Sequence, residues 1–582
     1  MDTRYQSLIK NSTEFLLNPN LSTQDKNNHY KNVGFYYYQL KNKNEAIKWF
    51  MKISPKDFST CKSIAAIYLE KNMLSEANLF TEICLQQQFD FNISYDLALH
   101  YTKQCLYHKA LGLYETLLDI QPNNINVLNN VSEIYNCIMK PKKAMEYYLK
   151  AFELDKKRFD IYSNLIMTSY YIYRYSPVKR LKYTNQYEEM LKTEQILCLD
   201  KKKRNTDNLI RIGYIGYDFD KLQHPISCFV KHIIENHDRA KYKVYCYQAS
   251  DKISSCFQQT GEKIYTNKIN GTTTRNLSNH DSKSSANIIY NDQIDVLIEL
   301  MHHTAGNRLS ILSYRPAPIQ ISYCAFPGTT GLSSIDYKIL DNITFTSSVK
   351  TFYTEKIIRM NNGFHCYIPT YKLPKNIQKR VNGPVNFCCF NNLKKINEKV
   401  IENWLHILRL IPGSQLYLRY YQYTNSFIRE LVKKKFIDIS NKLHIYKFDI
   451  NRIHFVGYVT DYTKVIQMYE NMDIFLDTFP YTGTTVICEA LSMSIPVITL
   501  LGKQPHERIG ASILSSINHP ELIASKEREY IEKAVTLGKN MNIINNYKKI
   551  LVNDMKKSIL GNSKIFMDEF EKKIEEVYQT LE

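Results

Sequence analysis

The chain has 582 residues, 44% of them hydrophobic, more than one core organises, so about three globular domains are expected. A net charge of +19 invites nucleic acid as a partner, yet Lys, Asn, Ile and Tyr are abundant throughout and no basic stripe is interleaved with aromatics, so none is expected. Thirteen cysteines without a CxxC pair read as reduced thiols, and no apolar run approaches the ~20 residues of a membrane span; together these point to a cytoplasmic protein with no membrane association.

Residues 1–26 form an N-terminal segment beginning MDTRYQSLIKNSTEF, without the apolar stretch of a signal peptide. Residues 27–158 repeat. Ala46, Ala77, Ala110 and Ala144 recur at spacings of 31, 33 and 34. Nine positions before each alanine stands Tyr37, Tyr68, Tyr101 or Tyr135, and three before those Gly34, Ala65, Ala98 or Ser132. Four positions after each alanine stands Phe50, Thr81, Tyr114 or Tyr148, of which only Thr81 departs from an aromatic pattern. Small residues let two helices approach and aromatics fill the groove between units, the pattern of tetratricopeptide repeats stacked as an α-solenoid with a concave, peptide-binding face. An irregular helical bundle is the alternative. Residues 159–208 are expected to be capping helices and a polar linker, whose short basic run, Lys201 to Arg204, leaves a nuclear address open.

From Leu209 short β-rich runs alternate with helical ones. Strands are predicted at 209–218, 242–247, 294–300, 319–324 and 337–340, then, after a linker at 371–384, at 385–390, 414–420, 453–458, 474–477 and 496–500. Apolar parallel strands with helical crossovers give doubly wound α/β sheets. Two Rossmann-like lobes are therefore expected, 209–370 and 385–540, with ligand at the strand C-terminal ends; residues 541–582 read as C-terminal helices.

Five stretches carry possible chemistry. His224, before Pro225, follows the first strand; read alone it is equally a surface histidine. His302 and His303, in MHHTAGNR, follow the strand at 294–300 without a third ligand nearby, so a structural zinc site is not expected. The loop PGTTG at 327–331 reads as an ordinary turn. Lys394 and Lys395 follow Asn391 and Asn392, where a preorganised cation would neutralise a departing diphosphate; a solvated lysine pair is the alternative. Finally, DIFLDTFPYTGTTVICEALSMSIPVITL at 473–500 places Gly483, Thr484 and Thr485 between a strand and a helix start. Unpaired N–H groups and the helix dipole favour an anion there; an ordinary Thr-capped turn is the alternative. Glu489 lies within that helix and Arg508 beyond it.

Together, HPISCF, DVLIEL to HTAGNR, RPAPIQ with FPGTTGL, FNNLKKI and DTFPYTGTT with CEAL resemble the SPINDLY and O-GlcNAc transferase family of protein glycosyltransferases, from about Tyr37 to Leu522. The resemblance implies tetratricopeptide repeats joined to two lobes in a GT-B arrangement. It implies transfer of one sugar, with inversion and without metal or other cofactor, to Ser or Thr of protein substrates selected by the repeats. His224 and His303 map to active-site positions and Lys395 to the leaving-group cation. Gly483, Thr484 and Thr485 map to the diphosphate turn and Glu489 to the ribose contact, with Asn392 and Arg508 expected beside them. The donor is UDP-GlcNAc or GDP-fucose. Three departures stand out: His302 where family members usually have Gly, Val486 where the Thr run often continues, and Lys464 or Val465 where many carry a His. They keep open a non-catalytic adaptor; an enzyme acting on a small molecule or glycan is a further alternative, against which the repeats argue.

Overall fold

The computed structural model describes residues 2–71, 73–192, 209–216, 225–249, 272–369, 383–445, 447–459 and 461–581. Its chain divides into two compact units, Met1–Val131 and Ser132–Glu582. Of the linkers expected at 201–208 and 371–384, residues 201–208 and 371–382 lie outside the described residues.

The first unit is helical throughout: Asp2–Phe15, Thr23–Gln39, Lys43–Met51, Phe58–Glu70, Leu74–Gln87, Phe91–Lys103 and Tyr107–Ile120, with Ile125–Cys137 beginning within it. The repeat positions form its core: Ala46, Ala77, Ala98, Ala110 and Tyr114 are buried. Thr81, off the aromatic pattern, is buried too, and its hydroxyl donates to the Ala77 carbonyl at 2.7 Å, which removes the cost of a polar group there. Ser22, Asn42, Asp57 and Asp90 each accept an N–H of the turn they precede, setting four helix starts.

The second unit opens with the end of that helix and with Pro141–Leu154, where Ala144 and Tyr148 are buried in the same way. Helices Phe159–Ser169 and Pro177–Lys192 follow. Then come two wholly parallel sheets. The first contains β1 (Ile210–Gly216), β2 (Tyr242–Gln248), β3 (Thr273–Asn276), β4 (Val296–Glu299), β5 (Ile319–Ser322), β6 (Tyr337–Asp341) and β7 (Lys356–Met360), in the order β3-β2-β1-β4-β5-β6-β7. The second contains β8 (Asn386–Cys389), β9 (Gln415–Arg419), β10 (Ile453–Val456), β11 (Ile474–Leu476), β12 (Val497–Leu500) and β13 (Ile523–Ala524), in the order β10-β9-β8-β11-β12-β13. In register, Tyr214 of β1 lies beside Cys246 and Ile298, and Phe475 of β11 beside Cys388 and Val497.

Each order reverses once, between β1 and β4 and between β8 and β11. A crevice opens at such a switch point, beyond the strand C-termini. Strands β3, β7 and β13 are additions to the expected set. β3 reads TTRN and its later residues are exposed, and β13 has two residues, so neither carries the apolar signal of a central strand. The C-terminal helices pack back on both lobes. Lys548, on Met541–Lys557, forms a buried ion pair with Asp473 at 3.2 Å, and Glu571, on Ser563–Tyr578, accepts from the Asp238 N–H at 3.0 Å. Among the described residues no helix is long and apolar enough to cross a membrane.

Candidate functional site

The switch point of the second sheet gathers the loop after β8 and the turn after β11. Between them sits Asp477, fully buried at the end of an otherwise apolar strand. Its Oδ1 accepts the N–H groups of Thr478 (2.8 Å) and Gly483 (2.7 Å) and the Asn391 amide (3.2 Å); its Oδ2 accepts the Thr499 hydroxyl of β12 (2.7 Å). Burial pushes this carboxyl up to about 6, opposed by the bonds from Gly483 and Thr499 and by the charge of Lys395. Gly483 fits closely: a Cβ there would lie 2.9 Å from Val486 Cγ2 and 3.1 Å from Asp477 Oδ1, so a larger residue would make something shift.

Lys395 belongs to a short 3-10 turn, Leu393–Lys395, started by Asn392, whose side chain accepts the Lys394 N–H and donates to the Tyr420 hydroxyl at 2.9 Å. The Lys395 ammonium donates to the Thr482 carbonyl at 2.8 Å and lies 4.0 Å above the Tyr481 ring. Burial pulls it down to about 8, an effect resisted by Asp477. The two lysines are thus not an equivalent pair. Lys394 turns away and forms an ion pair with Glu133, which also accepts the Tyr148 hydroxyl at 3.3 Å.

Helix Thr485–Ser492 starts at Thr484, whose side chain makes no capping bond. Thr484, Thr485 and Val486 are half-buried, so the first turn meets the crevice. Its leading N–H groups have no intrahelical partner and carry the positive end of the dipole. Lys395 and this helix start share one turn, 478–484. Glu489, expected as a ribose contact, is buried and accepts the Tyr469 hydroxyl at 2.9 Å. Arg508 bridges the lobes: it donates to the Ile343 carbonyl of the first and to the Gly502 carbonyl of the second, both at 2.6 Å.

In the first lobe, His302 has a φ of +51°, the left-handed region where glycine is favoured. The imidazole is packed into the core, its Nε2 3.1 and 3.0 Å from the Gly328 and Thr329 carbonyls. His303 is fully buried as well. Its Nε2 donates to the Thr330 carbonyl at 2.8 Å, so Nδ1 accepts the Ser163 hydroxyl at 3.0 Å. Burial pushes this imidazole down to about 4, neutral at physiological pH. Both nitrogens of His303 are engaged in the interior, and through the Thr330 carbonyl it holds the loop at 326–331. That loop is tied down again by Glu355, which accepts the hydroxyls of Thr329 and Thr330 and the Thr330 N–H. His224 lies outside the described residues.

The turn that joins the helices Phe159–Ser169 and Pro177–Lys192 packs against these loops. Tyr170 meets Phe326 and His506 at 4.4 and 4.8 Å between ring centroids; Tyr171 stacks on Tyr481 at 5.6 Å; Tyr173 meets Phe479 at 6.3 Å and donates to Glu527 at 2.6 Å. A small cavity lined by Tyr170, Arg180, Thr329, Tyr353 and His506 lies at this junction rather than at the lysine.

The structure therefore brings together Lys395, Asn392, Gly483, Thr484 and Thr485, and sets Glu489, Arg508 and His303 into surrounding structure. Sequence reasoning missed Asp477 and Tyr481. The available signals were a carboxylate ending the apolar run IFLD and an aromatic inside the turn that follows.

The model of the family described as Glycosyl transferase family 41 matches residues 188–382 and 370–570. The chain is similar to the protein named probable UDP-N-acetylglucosamine–peptide N-acetylglucosaminyltransferase SPINDLY of Petunia hybrida, 32% identical over 380 residues, 65% of this chain and 39% of that protein. It is 28% identical over 366 residues to the SEC protein of Arabidopsis thaliana, which carries the same enzyme name, covering 59% of this chain and 34% of that one. The chain thus spans about two-fifths of the length of the first of these curated relatives and a third of the second. Among solved structures it is similar to an O-GlcNAc transferase mutant of Thermobaculum terrenum, with a TM-score of 0.76 and 21% identity, covering 90% of this chain and 98% of that one. At that identity the likeness speaks for the fold: a helical solenoid followed by two parallel-sheet lobes of GT-B type.

Proposed function

The chain belongs to glycosyl transferase family 41, and from that premise we propose that it moves one sugar from a nucleoside diphosphate donor to Ser or Thr hydroxyls of proteins. One observation carries the reading. The Lys395 ammonium is held 2.8 Å from the carbonyl of Thr482, inside the turn that leads to the half-buried start of helix Thr485–Ser492. A preorganised cation beside unpaired N–H groups is suited to a leaving diphosphate, because it strengthens as charge develops and costs no reorganisation. The acceptor oxygen would attack from the opposite side of the sugar, with much of the rate coming from positioning. Lys395 and the helix start provide the charge that a metal supplies elsewhere, so the reading asks for none. The protein acceptor would be chosen by the repeats.

The names carried by the relatives support UDP-GlcNAc as donor; GDP-fucose is the other candidate. The test is separate incubation with UDP-GlcNAc, GDP-fucose and UDP-glucose, followed by mass measurement of the protein and a peptide pool. A gain of one sugar with one donor is expected. No gain with any of them, alongside retained peptide binding, would favour a non-catalytic adaptor. The observation on that side is Val486, a half-buried apolar residue in the turn that meets the crevice.

A further inference from the structure

The reaction proposed above uses Lys395 and the helix start, and leaves unassigned the carboxylate behind both. Asp477 touches no open space. Its four donors come from its own strand end, the glycine turn, the loop after β8 and β12. On the remaining sides, a Cβ at Gly483 would lie 3.1 Å from Oδ1 and a Cβ at Gly510 2.9 Å from Oδ2. Such a group does not meet a ligand. A neutral amide would accept only the three donors on Oδ1 and would set an NH2 group against the Thr499 hydroxyl, whereas an ionised carboxylate accepts all four. Asp477 and Lys395 hold successive residues of one turn: the Gly483 N–H donates to Asp477 at 2.7 Å and the Thr482 carbonyl accepts from Lys395 at 2.8 Å, so the buried negative charge stands where a positive one is kept.

We propose that Asp477 is the positioning residue of the diphosphate site: it fixes the turn at 478–484 and keeps the Lys395 side chain charged in the closed crevice. This rests on Lys395 being the leaving-group cation. The titratable groups facing Asp477 are Lys395 and Cys389 from the β8 side and Tyr530 from helix Glu527–Gly538, whose hydroxyl donates to the Asp477 carbonyl at 2.8 Å. β12 contributes Thr499, which does not titrate, and helix Ile509–Ser516 contributes Gly510.

The signs follow. Transfer needs the acid ionised and the lysine protonated, so activity falls below about 6 and above about 8. Asp477→Asn keeps the size, removes the charge and turns the atom facing Thr499 from acceptor to donor, which the hydroxyl meets by rotating; the basic limb of the pH profile then moves down, on the order of one pH unit. Thr499→Val leaves the charge and removes one bond that favours it, so the acid limb moves up. Lys395→Arg, whose charge does not titrate in this range, serves as the reference and loses the basic limb. The experiment is the pH profile of sugar transfer by the full chain and these variants, with circular dichroism to establish folding. A folded Asp477→Asn whose basic limb coincides with wild type, while Lys395→Ala is inactive, overturns the proposal and leaves the transferase reading standing. An active Lys395→Ala overturns the reading itself. If Asp477→Asn does not fold, an unmoved acid limb in Thr499→Val overturns the proposal.

Discussion

Replacing Gly483 by alanine tests the crevice with one carbon atom. The new Cβ would lie 2.9 Å from Val486 Cγ2, 3.1 Å from Ile487 Cγ1 and 3.1 Å from Asp477 Oδ1. Ile487 and Asp477 are fully buried, and Val486 is branched at Cβ and fixed in the first helical turn, so none of the three gives way easily. The turn itself must move, lengthening the 2.7 Å bond from the Gly483 N–H to Asp477 and shifting the Thr482 carbonyl that holds Lys395. Overpacking of this kind costs about 1–3 kcal/mol; if it falls on the liganded arrangement, affinity drops roughly 5- to 150-fold. Calorimetric titration of GDP and UDP into wild type and variant, with melting curves as a check on the fold, measures this. Val486→Ala in the same chain removes the closest contact and should recover part of the loss. Unchanged affinity in a folded Gly483→Ala would refute the idea that this turn shapes the diphosphate site.

Lys395→Ala should lower turnover by ~10²–10³ with the fold intact, by analogy with the loss of an oxyanion donor; single-turnover rates near wild type would exclude the leaving-group role. Thr330→Val removes a hydroxyl from the buried carboxylate of Glu355, a charge-assisted bond worth about 1.5–3 kcal/mol, so the thermal midpoint should fall; an unaltered midpoint would show the loop is held by packing alone. His303 predicts acid sensitivity. Its folded value is about 4 against an unfolded ~6.5. The unfolded chain takes up the proton between those values, so stability is complete above the upper one and is lost as pH falls toward the lower. From pH 7 to pH 5 the loss at this residue is about 2 kcal/mol. His303→Gln should melt with less dependence on pH than wild type, and equal dependence would contradict its burial as a neutral group.

The central strands were legible because a strand buried on both faces must be apolar: the runs around Tyr214, Ile298, Phe387 and Phe475 all read as β. Edge strands are under no such constraint, and TTRN at β3 carries no hydrophobic signal. The phosphate turn was legible for a related reason, since Gly-Thr-Thr at a strand-to-helix junction implies its own geometry. What sequence cannot convey is which way a side chain points. His303 and Lys394 sit in the expected loops, yet one faces the interior and the other pairs with Glu133. Asp477 carries no such signal, because an acid in a strand-end motif looks the same whether it meets solvent or four internal donors.

The contacts made by the helices at 159–192 and the aromatic turn between them bear on where this protein can be cut. Tyr171 covers the Tyr481 ring on which Lys395 rests, and Ser163 holds His303. A chain trimmed to begin at Leu209 would strip those partners and leave Phe326, Tyr481 and His506 facing water. In engineering terms, the polar stretch after residue 200 is a false seam. The repeats before it are exchangeable only upstream of Ser132, where the second unit begins and beyond which Glu133 pairs with Lys394, and a chimera that swaps recognition for a new acceptor must inherit Ser132–Lys192 with the lobes.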